Sequence, residues 1–389
     1  MALVLNTLPN KAISIGSHGY AGHLHDRLQQ GLSDNPTYVI FDYGTVYEAD
    51  MVFFTMEAIK LAKDLNKEHV IMIYTHESLH RKFWEINTAL LSKAGYTKVL
   101  LIDAGNDISI QSYLNNFDNK DMDVRFLTSS AFFDTYSGKP GFKESVPFNN
   151  VRSKHYVSLA RYSRKERIQL TCKLLDNELL KNSGRYSCGW SDYELRADFW
   201  REGGDVWDLI PDHLKSHFPI TLGDTSSQQH DLLPHIVNNV FNVVLEGQIG
   251  HNPATYTENT ASLDQLGIWR SLTINSDRMM ATEKTTKAFA MNQIPLILAT
   301  PGLVEKLRTM NFDLFDDVID HSYDKECDIV KRIDLIIEQL IKVCEKDISY
   351  WNDFLNENKD RFYHNQQQLI HLSDYLHSTN RQFIKEFFV

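Results

Sequence analysis

The sequence predicts an α/β protein of two Rossmann-like domains followed by a helical C-terminal tail. The chain has 389 residues, which is more than a single hydrophobic core ordinarily organises. Short apolar or β-branched runs alternate with longer helical patterns, as they do where helices connect the strands of a parallel sheet. The last part of the chain shows apolar residues at helical spacing only. We therefore predict an N-terminal domain over residues 1–147, a C-terminal domain over 148–325, and a tail over 326–389 that packs on or bridges the two.

Composition and charge narrow the class of protein. Hydrophobic residues make up 42% of the chain and charged residues 23%, which is typical of soluble globular proteins. No apolar run approaches the ~20 residues that span a bilayer, and the N-terminus lacks the pattern of a signal peptide. The four cysteines are widely scattered, so we expect reduced thiols in a cytoplasmic protein, in the host cytoplasm if the protein is viral. The net charge of -11 argues against a large nucleic-acid footprint, although it is compatible with a local basic groove.

Five strand patterns define the predicted N-terminal domain. They are K-A-I-S-I-G, T-Y-V-I-F, H-V-I-M-I-Y, K-V-L-L-I and D-V-R-F-L, which begin at Lys11, Thr37, His69, Lys98 and Asp123. Helical patterns separate them at about residues 20–32, 50–66, 78–94 and 108–118. In parallel sheets, ligands bind beyond the carboxyl ends of the strands, so the residues that follow these runs are candidates for chemistry.

Histidines and carboxylates follow several of these strands. The first strand leads into a glycine-bearing turn with His18 and His23, which lacks the G-x-G-x-x-G pattern of dinucleotide sites. Asp42 follows the second strand, and His76 and Glu77 follow the third. Each of these side chains can act as a general base at the rim of a cleft. Each residue is equally suited to a turn or a helix cap.

A group of arginines marks the first helix of the predicted C-terminal domain. Ser137–Pro147 reads as an interdomain linker, and a strand at His155–Leu159 follows it. Arg161, Arg164 and Arg167 then surround the first turn of a predicted helix that extends to Leu180. Cations oppose the dipole at a helix N-terminus unless they face an anion, and arginine binds phosphate in a bidentate way. These residues therefore indicate an anion site, and a solvated basic face explains them equally well.

A second helix entrance carries the pair Glu283-Lys284. Thr282 is a suitable N-cap for this helix, and Glu283 suits the positive end of the helix dipole. Lys284 does not suit that end, unless its charge is turned toward a bound anion. Asn292 ends the helix, and a short buried strand follows at Ile294–Leu298. An ordinary solvated first turn remains an alternative explanation of the charges.

The same region carries a resemblance to a known family. The segment T-E-K-T-T-K-A-F-A-M-N-Q-I-P-L-I-L, followed by P-G-L-V-E-K-L-R-T-M-N-F-D-L-F and H-S-Y-D, resembles a family of phage and bacterial glycosyltransferase-like proteins. That family also has a strand followed by R-x-x-R-x-x-R, which Arg161, Arg164 and Arg167 match. The helix and the upstream arginine are similar, more remotely, to the donor-binding half of α1,3-fucosyltransferases. The resemblance covers roughly Lys154 to Asp324. It departs from the family pattern at Ala160, Asn311 and His321, where asparagine, glycine and an acidic residue are usual.

The resemblance implies a GT-B-like glycosyltransferase that uses a nucleotide-diphosphate sugar. Arg167 and Lys284 would hold the diphosphate, and Glu283 would accept a hydrogen bond from the ribose. Glu246, at the end of its strand, matches an acidic position of the family. The residues implied at the donor site are Arg161, Arg164, Arg167, Glu246, Glu283, Lys284 and Lys287.

The expected chemistry is independent of a metal. The sequence has no D-x-D at the end of a convincing strand, so arginine, lysine and a helix N-terminus would stabilise the leaving diphosphate. We expect no metal and no cofactor beyond the sugar nucleotide. A base is needed for the acceptor hydroxyl, with His18 as the first candidate and Glu77 as the second. The acceptor would be a glycan or a hydroxymethylated base of phage DNA. The alternatives are a non-catalytic nucleotide- or sugar-phosphate-binding protein of the same fold, and a structural or host-interaction protein.

Overall fold

The computed structural model describes the sheets of the protein and most of its C-terminal half. The described residues are 5–7, 13–16, 38–42, 59, 60, 63, 69–74, 81–103, 122–128, 151–160, 165–189, 206–218, 220, 233–246 and 281–387. Of the predicted helix at 78–94, the residues from 81 onward are described, and there the structure has α1, Arg81–Lys93. Of the predicted helix at 50–66, only residues 59, 60 and 63 are described, and they are helical, whereas the predicted helices at 20–32 and 108–118 lie outside the described residues. The predicted linker at Ser137–Pro147 lies outside them.

The chain divides into two compact units. The first unit comprises residues 1–134, 277–280 and 371–389, and the second comprises 135–276 and 281–370. The predicted tail is helical, and its residues are shared between the units. Residues up to Ile370 belong to the second unit, whereas those from His371 onward belong to the first.

The first unit contains a six-stranded sheet in sequential order. Its strands are β1 Leu5–Thr7, β2 Ile13–Gly16, β3 Tyr38–Asp42, β4 His69–Tyr74, β5 Lys98–Asp103 and β6 Asp123–Thr128. Strands β2 to β6 are parallel, whereas β1 pairs with β2 in the antiparallel direction. The five predicted strands are therefore confirmed. The three-residue β1 shows no apolar periodicity, and it was not predicted.

The second unit contains a parallel sheet of four strands. They are β7 Lys154–Ala160, β8 Gly184–Cys188, β9 Asn239–Leu245 and β10 Ile294–Leu298. Their order across the sheet is β10-β9-β7-β8, and every pair is parallel. All residues of β9 and β10 are buried, as the continuous apolar runs of these strands require. The predicted mixed α/β architecture with parallel sheets is confirmed.

Eight α-helices accompany this sheet in the described part of the chain. They are α2 Lys165–Asp176, α3 Glu178–Ser183, α4 Leu233–Val237, α5 Glu283–Ala290, α6 Leu303–Thr309, α7 Ile329–Cys344, α8 Ile348–Glu357 and α9 Lys359–Phe387. Helix α7 packs against α2, and α8 packs against β7 and β9. The Trp351 ring of α8 meets Phe241 of β9 edge to face, with ring centroids 4.8 Å apart. In the described residues, no helix is both long enough and apolar enough to cross a membrane.

One predicted helix is divided in the structure. A single helix from Lys165 to Leu180 was expected, but α2 ends at Asp176 and α3 begins after Asn177. The Asn177 side chain accepts a hydrogen bond from the Leu180 amide at 3.1 Å, and its backbone is extended. Asparagine is among the preferred N-cap residues, so it starts a new helix here.

Helix α9 supports the C-terminal ends of the two helices that flank β10. The Gln366 side chain donates to the Ala290 carbonyl at the end of α5, at 3.1 Å. The side chains of His364 and Gln368 donate to the carbonyls of Asn311 and Met310, each at 2.7 Å. Because α5 leads into the first residue of β10, these contacts lie at the end of the sheet where β10 begins. The carboxyl ends of the parallel strands lie at the opposite end of the sheet.

Candidate functional site

The strand order of the second sheet identifies the position at which a ligand is expected. Following the chain, β8 lies on one side of β7, whereas β9 and β10 lie on the other side. The order therefore reverses between β7 and β9. In open parallel sheets, ligands bind outside the carboxyl ends of the strands at such a reversal. Strand β9 ends there with Leu245, and Glu246 follows it.

Glu246 closes the N-terminus of helix α5. The residue is fully buried, and one carboxylate oxygen accepts the backbone N–H of Thr282 at 2.9 Å. The other oxygen accepts the Thr282 hydroxyl at 2.6 Å, and the Thr285 hydroxyl also donates to the carboxylate. The buried negative charge is thus balanced by three donors and by the positive end of the helix dipole. Through these bonds, the end of β9 holds the beginning of α5.

This arrangement is a capping box whose acid comes from a different element. In the local version, a Glu at the third helical position reaches back to the N–H of the N-cap residue. Here the N-cap is Thr282, as predicted, and the third helical position is Thr285. The carboxylate that reaches the N-cap N–H belongs to Glu246 instead, 36 residues earlier in the chain.

Arg167 connects helix α2 to the end of β9. Only 4% of the residue is exposed, and its Nη2 donates to the carbonyls of Leu245 and Glu246, at 3.4 Å and 3.2 Å. The guanidinium therefore binds the last peptide groups of β9. The N-terminal turns of α2 and α5 thus both meet the end of β9, one through a backbone carbonyl and the other through the side chain of Glu246.

Lys284 and Glu283 form the accessible part of this site. The Lys284 ammonium donates to the Thr282 hydroxyl at 3.3 Å and to the Glu283 carboxylate at 3.1 Å. About a third of the Lys284 side chain is exposed (30%), and 22% of the Glu283 side chain. The two side chains can therefore exchange their mutual contact for contacts with a ligand.

Glu283 is held in its ionised form. Burial by itself raises the pKa of this carboxyl. The charge of Lys284, its hydrogen bond and the more distant charge of Lys287 outweigh that effect, so the pKa lies below its ordinary value. An ionised carboxylate accepts hydrogen bonds only, which suits the recognition of hydroxyl groups.

The structure thus brings together four of the predicted site residues. Arg167, Glu246, Glu283 and Lys284 are linked through the end of β9 and the first turn of α5. Lys287 lies one turn further along α5 and is half-buried. The other residues implied at the donor site, Arg161 and Arg164, lie outside the described residues, and so do the candidate bases His18, His23, His76 and Glu77. The candidate base Asp42 is the last residue of β3, in the first unit. Thr285 belongs to the site but was not predicted, because no local pattern shows which acid its hydroxyl meets.

A second carboxylate closes helix α6 in a similar way. The two carboxylate oxygens of Asp324 accept the backbone N–H groups of Val304 and Glu305, each at 3.2 Å. Asp324 ends the H-S-Y-D run, and Tyr323 of the same run accepts the Ile297 N–H of β10 at 3.0 Å. These contacts fix β10 and α6 to each other. The H-S-Y-D run therefore stabilises β10, which is an edge strand of this sheet.

The described residues also bear on metal binding and on thiol chemistry. Among the described residues, no group of three or more His, Cys, Asp or Glu side chains is arranged to hold a metal ion. The four cysteines carry free thiols, and only Cys327 is exposed. The sequence matches no protein-family model and no curated protein.

Proposed function

We propose that the protein is a glycosyltransferase of the GT-B type, which moves a sugar from a nucleotide-diphosphate sugar to an acceptor hydroxyl. The diphosphate would bind where the strand order of the second sheet reverses. The observation that carries this proposal is the position of Lys284, Glu283 and Arg167 around the end of β9. The resemblance of the same segment to glycosyltransferase-like proteins supports it independently.

Lys284 is the side chain best suited to hold the diphosphate. Glu246 and the Thr282 hydroxyl already occupy the N–H groups of Thr282 and Lys284, so an anion would rely on side chains more than on the helix dipole. The Lys284 ammonium is partly exposed, and its present partner is a carboxylate with a single charge. Its positive charge would stabilise the leaving diphosphate as the glycosidic bond breaks.

Glu283 and Arg167 have different parts in the proposed site. The ionised Glu283 would accept hydrogen bonds from ribose hydroxyls once Lys284 turns to the diphosphate. Arg167 binds the carbonyls at the end of β9, so its charge acts from behind the site. Lys287, Arg161 and Arg164 would form the outer ring. His18 and then Glu77 remain the candidates for the general base, which would activate the acceptor hydroxyl. The acceptor would be a glycan or a hydroxymethylated base of DNA.

Replacing Lys284 tests the donor site. A thermal-shift screen with GDP-, UDP- and dTDP-sugars would identify the donor, because a ligand at about 100 times its Kd stabilises the folded state by ~2.7 kcal/mol. CMP-sugars, which have no diphosphate, complete the screen as a comparison. We expect Lys284→Ala to weaken binding of that donor about ten- to hundredfold, the effect of one lost hydrogen bond to a charged group. Titration calorimetry measures the affinity.

The matched control is Lys342→Ala, which removes an exposed lysine from α7. This variant should bind the donor as the wild type does. Equal affinity of the Lys284→Ala variant and the wild type would reject the proposed site.

An assay of donor turnover, with the donor found in this screen, separates an enzyme from a binding protein of the same fold. A glycosyltransferase hydrolyses or transfers its donor, and His18→Ala or Glu77→Ala should slow that turnover with little effect on donor affinity. A wild-type protein that binds the nucleotide without turning over any donor would support the non-catalytic alternative.

A further inference from the structure

The hydroxyl group of Thr282 stands between Glu246 and Lys284, and its hydrogen bonds have a defined direction. A hydroxyl donates one hydrogen bond and can accept two. A carboxylate can only accept, so the proton of the Thr282 hydroxyl points to Glu246, over the short distance of 2.6 Å. The lone pairs of the same oxygen then face Lys284. They accept its backbone N–H at 3.2 Å and its ammonium at 3.3 Å.

Glu246 itself is shielded from a ligand at this edge. The residue has no exposed surface, and its two carboxylate oxygens already accept three hydrogen bonds from Thr282 and Thr285. It is therefore linked to the site by hydrogen bonds only through those two residues. The Lys284 ammonium is the accessible group that lies next along this line of hydrogen bonds.

We infer that Glu246 is a positioning residue, which orients the Thr282 hydroxyl and thereby holds the Lys284 ammonium where the diphosphate binds. The inference rests on the proposed function and assigns Glu246 a role different from direct contact with the donor. Without the carboxylate, the hydroxyl loses the acceptor that fixes its proton, so its lone pairs are no longer directed at Lys284. The ammonium then loses an acceptor that orients it.

A double-mutant cycle tests this role. Glu246→Gln keeps the shape of the side chain, but it removes the charge and places an amide donor beside the two threonine hydroxyls. We expect this variant to bind GDP, UDP or dTDP, whichever the wild type binds most tightly, about tenfold more weakly than the wild type, the effect of one hydrogen bond to a charged group. In the Lys284→Ala background, Glu246→Gln should cause no further loss, because the group that it positions is absent. A residue with a merely structural role would weaken binding in both backgrounds.

A second pair of variants tests the same line of hydrogen bonds at Thr282. Thr282→Ser keeps the hydroxyl and should retain wild-type affinity for the nucleoside diphosphate. Thr282→Val keeps the shape but removes the hydroxyl, and it should weaken binding as Glu246→Gln does. This pair decides the question even if the Glu246→Gln variant fails to fold.

The possible results are distinguishable. Equal losses from Glu246→Gln in the wild-type and Lys284→Ala backgrounds, or equal affinities of the two Thr282 variants, would overturn the positioning role while leaving the proposed function intact. A wild-type protein that binds none of GDP, UDP and dTDP, as calorimetry would show, would overturn the proposed donor site and this role with it.

Discussion

At the scale of single residues, His321 shows how burial selects a protonation state. Its Nε2 donates to the Leu314 carbonyl at 2.8 Å, and its Nδ1 accepts the Tyr323 hydroxyl at 2.9 Å. The Tyr323 oxygen already accepts the Ile297 N–H, so its own proton is available for His321. Only a neutral imidazole satisfies both neighbours. An ionised carboxylate at this position could not donate to the carbonyl.

The stability of the protein should therefore depend on pH through His321. Burial of the ring lowers the pKa of His321 below its ordinary value of about 6.5, although the bond to the Leu314 carbonyl acts in the opposite direction. Above that pH, the ring is neutral in both the folded and the unfolded state and contributes no pH dependence. As the pH falls below it, the unfolded chain takes up a proton before the folded chain does. The free energy of unfolding should then decrease, and the decrease should level off below the pKa of the folded state.

Urea unfolding of the wild type and of His321→Gln between pH 5 and 8 measures this effect. The variant should be less stable at neutral pH by about 1–3 kcal/mol, because it loses a buried hydrogen bond, but its stability should depend less on pH. His371→Asn, at an exposed position, should keep the wild-type pH dependence. Identical slopes for the wild type and His321→Gln would contradict this account.

At the scale of elements, helices α5 and α6 begin and end in the same way. Both helices begin at a buried carboxylate from elsewhere in the chain, Glu246 for α5 and Asp324 for α6. Both end before an asparagine with a left-handed backbone, with φ of 53° at Asn292 and 64° at Asn311. Asparagine and glycine adopt this conformation most readily. That preference explains why an asparagine follows each of the two helices.

Substitutions at Asn311 test the backbone requirement at the end of α6. Asn311→Ala should lower the free energy of unfolding by about 1–2 kcal/mol, because a Cβ without a compensating side chain disfavours the left-handed conformation. Asn311→Gly should change it by no more than about 1 kcal/mol, since glycine adopts a positive φ without steric cost. Chemical denaturation measures both values. If the two substitutions had the same effect, the backbone conformation would not be the reason for asparagine here.

At the scale of the whole molecule, the two ends of the strands in the second sheet have different roles. Where β9 ends, Lys284 and Glu283 form the accessible part of the proposed donor site, with Thr282 and Glu246 behind them. Where β10 begins, helix α9 caps the ends of α5 and α6, and Arg152 donates to the Met291 carbonyl at 3.0 Å. The length of the α5–β10 unit separates the contacts that stabilise the fold from the groups proposed to bind the donor.

This separation predicts that stability and nucleotide affinity can be changed independently. A double variant with Gln366→Ala and Gln368→Ala removes two hydrogen bonds to helix C-termini and should lower the free energy of unfolding by about 1–3 kcal/mol. Its affinity for a nucleoside diphosphate should stay at the wild-type value. Lys284→Ala should show the reverse, with weaker binding and little change in the denaturation midpoint. Loss of binding in the glutamine variant at a temperature where it is folded would contradict the separation.

Local patterns in the sequence determine much of this protein. The strand runs, the N-cap Thr282 and the helix end at Asn292 are predictable, because each depends on residues within about four positions of one another. The sequence also indicates Glu283 and Lys284 as unusual charges at a helix entrance. Asn177, which divides a predicted helix, is the exception, since its capping role competes with a continuous apolar periodicity.

Tertiary structure alone decides how the site is assembled. The reversal of strand order between β7 and β9 brings the entrances of α2 and α5 to one place, although they lie far apart in the chain. Only there does the carboxylate of Glu246 meet Thr282 and Thr285, and only there does Arg167 meet the end of β9. Such hydrogen bonds depend on which strands become neighbours, and that choice is made by burial of the whole sheet. For this reason, the sequence identified the charged residues of the candidate site, whereas the fold determined which of them are accessible and which are buried behind the others.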